Sequence, residues 1–127
     1  RILIGARTTV FDRELRLLNT HLLAFFMLGA SSSINPLQRD LVARELAAVD
    51  GPTILTGDFN VSKHESIIAQ FGERGFQTVQ DQEVTWRRRP LVLDHIFHNA
   101  GLRCVGHSVV PTPASDHHAL VADFEFE

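Results

Sequence analysis

The sequence predicts an α/β layered sandwich, and three observations carry that expectation. Short apolar runs bounded by turn residues outnumber amphipathic ones, so strands dominate. The helical stretches fall between those runs, so helices punctuate the strands. Polar residues His21, Asp58, Asn60, Asp94, Asp116 and His117 sit at the ends of apolar runs, in RLLNTHL, TILTGDFN, LVLDHIF and PASDHHALV. A polar residue just past a buried strand lies on the rim of a sheet, where others like it can converge.

Residues 2–10 (ILIGARTTV) and 15–22 (LRLLNTHL) read as two strands, with FDRE as the polar link of a hairpin. Residues 23–35 pass from apolar to small and polar and read as a loop. A helix follows: Asn35 can cap it, Pro36 suits the first helical position and Gln38 completes a capping box. Leu37, Leu41, Val42, Leu46, Ala48 and Val49 form its broad apolar face, and Asp50-Gly51-Pro52 stops it. TILTG (53–57) is a buried strand that delivers Asp58 and Asn60 into a loop. Ser62 to Glu65 has capping-box spacing and opens a short helix with Ile67, Ile68 and Phe71 inward, ended by Gly72 and Gly75. FQTVQ and EVTWRRR read as extended, with Pro90 unsuited to a central strand position. LVLDHIFH (91–98) and LRCVGHSVV (102–110) are further strands around Asn99-Ala100-Gly101. In the final strand Leu120, Ala122, Phe124 and Phe126 alternate with polar residues, as in a half-exposed strand.

Size and composition fit one soluble globular domain: 127 residues, 44% hydrophobic and 21% charged, with nine Phe and one Trp to fill a core. A net charge of −3 argues against broad, salt-sensitive binding to nucleic-acid backbone. It leaves room for a nuclease whose metal ions neutralise phosphate locally. The single Cys104 excludes an internal disulfide and reads as a buried, inert thiol, compatible with a reducing compartment such as the cytoplasm. No run approaches the ~20 apolar residues of a membrane-spanning helix. The chain opens at Arg1 already in strand pattern, so it says nothing about targeting.

The polar residues at strand ends suit phosphoester chemistry. Asp58 and Asn60, two apart beyond a strand, point the same way if extended geometry persists. The carboxylate can hold a hard cation or orient water, and the amide can donate to a phosphate oxygen. The same residues also make an ordinary turn. Asp116 and His117 pair a metal-facing carboxylate with an imidazole able to contact phosphate or move a proton, although a polar surface loop fits them equally. A buried Asp94 needs a partner, and His117 would serve, oriented by the carboxylate. His21 can donate to a phosphate oxygen or a leaving group, or be structural. Arg87, in the run Trp86 to Arg89, can approach an anionic substrate or simply blunt a strand edge. His95 and His98, three apart on a strand, face opposite sides and do not form a metal pair. Seven histidines raise a Zn²⁺ hydrolase, but no H-E-x-x-H or similar run supports one.

Taken in order, NTHL (19–22), GDFN (57–60), LDHIF (93–97) and SDHHAL (115–120) resemble the endonuclease/exonuclease/phosphatase superfamily. That resemblance implies a DNase I-like four-layer α/β sandwich, of which this chain matches the C-terminal half, with a mostly antiparallel sheet. It implies Mg²⁺-dependent (or Mn²⁺-dependent) hydrolysis by in-line attack of water on phosphorus. Asp58 would position water and, with Asp116, hold the metal. Asn60 would hold the phosphoryl oxygens, His21 would serve the departing side, and Asp94 would orient His117. Candidate substrates are a nucleic acid, a phospholipid or an inositol phosphate. The family's early Asn and Glu have no counterpart upstream of His21. A half-sandwich would expose an apolar sheet face, and the alternative expectation is therefore a catalytically incomplete half-domain that self-associates or acts as an association module.

Overall fold

The structure, a computed structural model, describes residues 3–29 and 36–127. The element order is β1 (Leu3–Val10), β2 (Arg13–His21), a 3-10 turn (Phe25–Leu28), α1 (Pro36–Ala47), β3 (Thr53–Asp58), α2 (Glu65–Gly72), β4 (Phe76–Thr78), β5 (Asp94–Asn99), β6 (Leu102–Val110) and β7 (Ala119–Phe126). Five strands form one sheet in the order β1-β2-β3-β5-β4, and β6 and β7 form a second. Among the described residues only β2 and β3 pair in parallel; every other strand pairing is antiparallel.

That one parallel pairing fixes where the chemistry sits. Parallel strands end on the same edge of a sheet, and an antiparallel neighbour begins there. His21 is the last residue of β2, Asp58 the last of β3 and Asp94 the first of β5. In register, His21 lies opposite Asp58, and Asp58 opposite Asp94. The strand expected over 91–98 is therefore shifted: residues 91–93 lead in and Asp94 opens β5.

The β1–β2 hairpin turns on Phe11 and Asp12 at φ 50° and 61°. Positive φ at both central residues is the two-residue turn whose twist matches the strands. The link is thus shorter than FDRE. The approach of β2 to β3 depends on Gly57: a Cβ there would lie 2.0 Å from the Thr20 carbonyl oxygen.

The helices cover one face of the larger sheet. Val42, Ala43 and Leu46 of α1 and Ile67 and Phe71 of α2 join Leu18, Leu55, Phe76 and Phe97 in one buried core, together with Phe59 and Val61 from the loop after β3. Leu37 and Leu41 stay outside it, 78% and 61% exposed. At 100° per residue they fall on the side of α1 away from Val42, Ala43 and Leu46, so the expected apolar face was too wide. Asn35 lies outside the described residues. Gln38 accepts a hydrogen bond from the Leu23 backbone N–H at 3.0 Å. The capping box expected at Ser62 is not observed: α2 begins at Glu65 behind His64, with no side-chain cap. His64 Nε2 donates to the Asp81 carbonyl at 3.0 Å, a tertiary contact that overrides the local signal.

The other face of the sheet receives β6 and β7. Phe124 packs on His98, ring centroids 5.2 Å apart, and the alternation expected for β7 is observed. His95 turns the opposite way, into Phe59 and Phe97. The described residues thus form three layers, helices, larger sheet and smaller sheet, where the resemblance implies four. Ile4, Leu17, Val105 and Val121 remain exposed on the strands. Cys104 is only partly buried, its thiol directed at the Gly106 carbonyl. EVTWRRR forms no strand; Trp86 alone bridges to Leu91 and to His117.

Two stability predictions follow from this packing. Gly57→Ala should destabilise the fold by about 3 kcal/mol, read from the urea midpoint, because the strand backbone must move. Burial, and then the neighbouring His64, push the His95 imidazole from its ordinary 6.5 down to about 4. The unfolded chain therefore takes up that proton first as pH falls. The stability His95 contributes is complete above pH 6.5 and is lost between there and pH 4, about 3 kcal/mol in all. His95→Phe should flatten the stability–pH profile across that window.

Candidate active site

The groups at the sheet edge come together through strand register and one loop. The segment before β7 carries His117 over the ends of β3 and β5. Its Nδ1 and the Asp94 Oδ2 are 2.7 Å apart. Its Nε2 lies 3.8 Å from Asp58 Oδ2, and His21 Nε2 lies 3.6 Å from the same oxygen. Asp58 thus stands between two imidazoles, with Asp94 holding one of them. His21 is the exposed member, at 62%, whereas Asp58, at 18%, is mostly shielded.

Electrostatics follow from this crowding. Burial, and next the facing Asp94 carboxylate, raise the proton affinity of Asp58. His117, the Asn60 N–H and His21 oppose them. For His117, burial disfavours the charged ring, but the hydrogen bond and charge of Asp94, then Asp58 and Asp116, outweigh it and raise its pKa. The pair is thereby biased toward an imidazolium held between carboxylates.

Asn60 adopts left-handed backbone, φ 51°, which Asn tolerates better than most residues. Its N–H donates to Asp58 Oδ1 at 3.0 Å, and its side-chain amide donates to the Leu22 carbonyl at 3.0 Å. G-D-F-N is therefore both a turn and the mount of Asp58. The Asn60 side chain is committed at least in part to tying that turn to the end of β2.

Asp116 is placed differently from the expectation. Its Oδ2 accepts from Trp86 Nε1 at 3.3 Å and pairs with Arg88 Nε at 2.8 Å. The indole hydrogen bond first, and then Arg88, hold its pKa below the usual carboxylate value. Among the described residues, a group that could hold a metal ion is Asp58, Asp94 and His117, whose ligand atoms all lie within 4.8 Å of one another. Two carboxylates on one open edge suit a hard divalent ion that keeps several waters. An electron-rich Asp58 facing another carboxylate fits such a charge. Arg87 meets this region only through its backbone N–H, which donates to the Asp116 carbonyl at 3.0 Å. Arg88, the next residue of the same arginine run, makes the side-chain contact.

Beside the carboxylates lies a cleft of about 310 Å³, lined by Asn19, Thr56, Ile96, His118 and Leu120 among others. A larger open groove of about 760 Å³ runs past His98 and Cys104, away from these groups. Phe26 packs edge-on against Trp86, centroids 5.9 Å apart, and Trp86 in turn faces His117 at 6.3 Å. The apolar 3-10 turn therefore flanks the site.

Residues 16–117 match the model of the Endonuclease/Exonuclease/phosphatase family. The chain belongs to that family. A UPF0294 protein of Yersinia pseudotuberculosis is 35% identical over 135 aligned positions, covering 98% of this chain and 50% of that protein. The chain thus spans about half the length of the curated relative it matches. The human Nocturnin catalytic domain, solved with a bound sulfate anion, superposes with a TM-score of 0.71 at 20% identity, over 98% of this chain and 53% of that one. A Bacteroides thetaiotaomicron mannosyl-6-phosphatase gives 0.67 at 18% identity, over 91% and 53%. These likenesses are of fold: the DNase I-like α/β class expected from the sequence.

Asp94→Asn should lower the His117 pKa toward its ordinary value, measured by NMR titration of the imidazole without added divalent metal. A raised His pKa contributes stability that is complete below 6.5 and lost as pH rises through the folded value. The variant should therefore lose stability at acid pH and little at alkaline pH.

Proposed function

We propose that the protein is a Mg²⁺-dependent hydrolase of phosphoester bonds. The observation that carries the reading is the convergence of His21, Asp58, Asp94 and His117 on one sheet edge, from four separate segments, in a chain of this family. A bound Mg²⁺ or Mn²⁺ would be held by Asp58 and Asp94, with Asp116 close by in sequence to His117, and would neutralise phosphoryl charge and polarise the phosphorus.

The chain's own residues supply the rest. Asp58, shielded and rich in electron density, orients an attacking water and takes its proton. His117, held charged by Asp94, donates to the phosphoryl oxygens where charge develops. His21, exposed at the rim, faces the departing oxygen and can return a proton to it. Asn60 keeps Asp58 in place, and any remaining amide N–H is free for a phosphoryl oxygen. Arg87 and Arg88 add positive charge for an anionic substrate on the rim. The substrate is a phosphoester drawn from nucleic acids, phospholipids or inositol phosphates, and the apolar flank of Phe26 and Trp86 favours one with a nonpolar or aromatic part.

A second reading has one observation in its favour. Ile4, Leu17, Val105 and Val121 leave apolar strand surface exposed, which suits an association module that pairs with a further domain or with a second copy. It predicts tight self-association and no turnover.

The test is a substrate panel with Mg²⁺ or with EDTA, using the protein expressed from its complete reading frame. Turnover should vanish on chelation and return with Mg²⁺. Asp58→Ala and His117→Ala should each lower kcat by about 100-fold or more while leaving the melting temperature near normal. A folded variant with near-normal rates would remove its residue from the mechanism.

A further inference from the structure

Thr85 lies outside every motif that led to the site, yet it is completely buried. Its Oγ1 accepts the backbone N–H groups of both Leu93 and Asp94, at 2.9 and 3.0 Å. Its carbonyl accepts the N–H of His118 at 2.8 Å, and its own N–H donates to the Leu91 carbonyl at 3.1 Å. One residue therefore grips the chain at Asp94 and again immediately after His117. The next residues extend the grip: Trp86 bridges to His117, and the Arg87 N–H reaches the Asp116 carbonyl.

We propose that Thr85 is a positioning residue for the Asp94–His117 pair, setting the distance and angle at which the carboxylate meets the imidazole. This rests on the hydrolytic reading above. Asp94 opens β5 in register with Asp58, and its backbone N–H donates to Thr85 Oγ1. His117 lies in a loop that begins with Pro111 and Pro113, outside any strand. Thr85 adds a hydrogen bond at Asp94 and another at His118, next to His117, and the pair closes to 2.7 Å between them. A buried hydroxyl that accepts two N–H groups is not replaceable by an apolar group of equal size, because both donors would be left unpaired. Catalytic geometry is sensitive to displacements of this kind, with about 100-fold losses for shifts near 1 Å.

The test compares Thr85→Ser, which keeps the acceptor, with Thr85→Val, which keeps the shape. Both are made in the complete protein, alone and combined with Asp94→Asn. The probe is bis(4-nitrophenyl) phosphate with Mg²⁺, and folding is followed by thermal melting. Serine should keep kcat within about threefold of the parent; valine should lose about 100-fold in kcat with KM within about threefold. In the Asp94→Asn background the valine change should cost no further kcat, since the geometry it sets is already without use. A purely structural role would cost the same in both backgrounds. If valine does not fold, Thr85→Cys, a weaker acceptor, takes its place in the same comparison.

A readout free of turnover separates this proposal from the hydrolytic reading. The His117 Nδ1 proton, hydrogen-bonded to Asp94, should give a downfield resonance in ¹⁵N-histidine spectra. It should persist in the parent and in the serine variant and disappear with valine or cysteine. Failure of the parent to cleave any probe, with that pattern intact, overturns the hydrolysis and leaves the positioning role standing. A folded valine or cysteine variant that keeps both kcat and the resonance overturns the positioning role, as does a serine variant that loses them.

Discussion

Two carboxylates face each other across an antiparallel pair, and much of the site follows from that arrangement. Asp58 and Asp94 are register partners at the edge of the sheet. Like charges directly opposite on neighbouring strands are destabilising. Burial sharpens the conflict, since neither carboxylate has free access to water. Positive charge is the remedy, and the fold brings it from two directions: His21 from the parallel neighbour and His117 from the loop before β7. The same demand makes the edge attractive to a divalent cation. The facing carboxylates thus explain why imidazoles gather at this edge and why a divalent cation would suit it.

The topology turns a local conflict into a four-segment site. A single parallel pairing, β2 on β3, brings two strand ends to one edge, and the antiparallel β5 starts there. The crossover that a parallel pair requires is α1, which also seals the core beneath. Gly57 lets β2 and β3 approach closely at the last register positions before the acidic edge. Packing and chemistry therefore share residues: the Asn60 amide secures a turn, and the N–H beside it holds a carboxylate.

Much of this was legible in the sequence. The strands, both helices, the alternation of β7 and the partnership of Asp94 with His117 could be read from apolar runs and from what a buried carboxylate requires. The errors have physical causes. Leu37 and Leu41 look like part of an apolar face until the helical angle is counted residue by residue. The cap at Ser62 loses to a tertiary hydrogen bond from His64. The strand at 91–98 looks three residues too long because LVL is apolar, but β5, whose pairing composition does not reveal, begins at Asp94. The Asp116 carboxylate meets Trp86 and Arg88, contacts made across 30 and 28 residues of sequence that no local pattern encodes. Thr85 carries no local signal either, because a threonine in an extended run is unremarkable until its partners are known.

The layout of the site edge also separates what must stay fixed from what is free to vary. The segments following β2 and β3, and those preceding β5 and β7, all open onto the same rim, but they are not equivalent. Strand register fixes His21, Asp58 and Asp94, whereas Asn60, Thr85 and His117 lie in the connections themselves. Changes between β2 and α1 would reshape the rim and leave that register intact, while changes at the other three connections would also move the contacts around Asp58, Asp94 and His117. A scaffold of this kind can alter its rim one connection at a time while the sheet edge beneath keeps its shape.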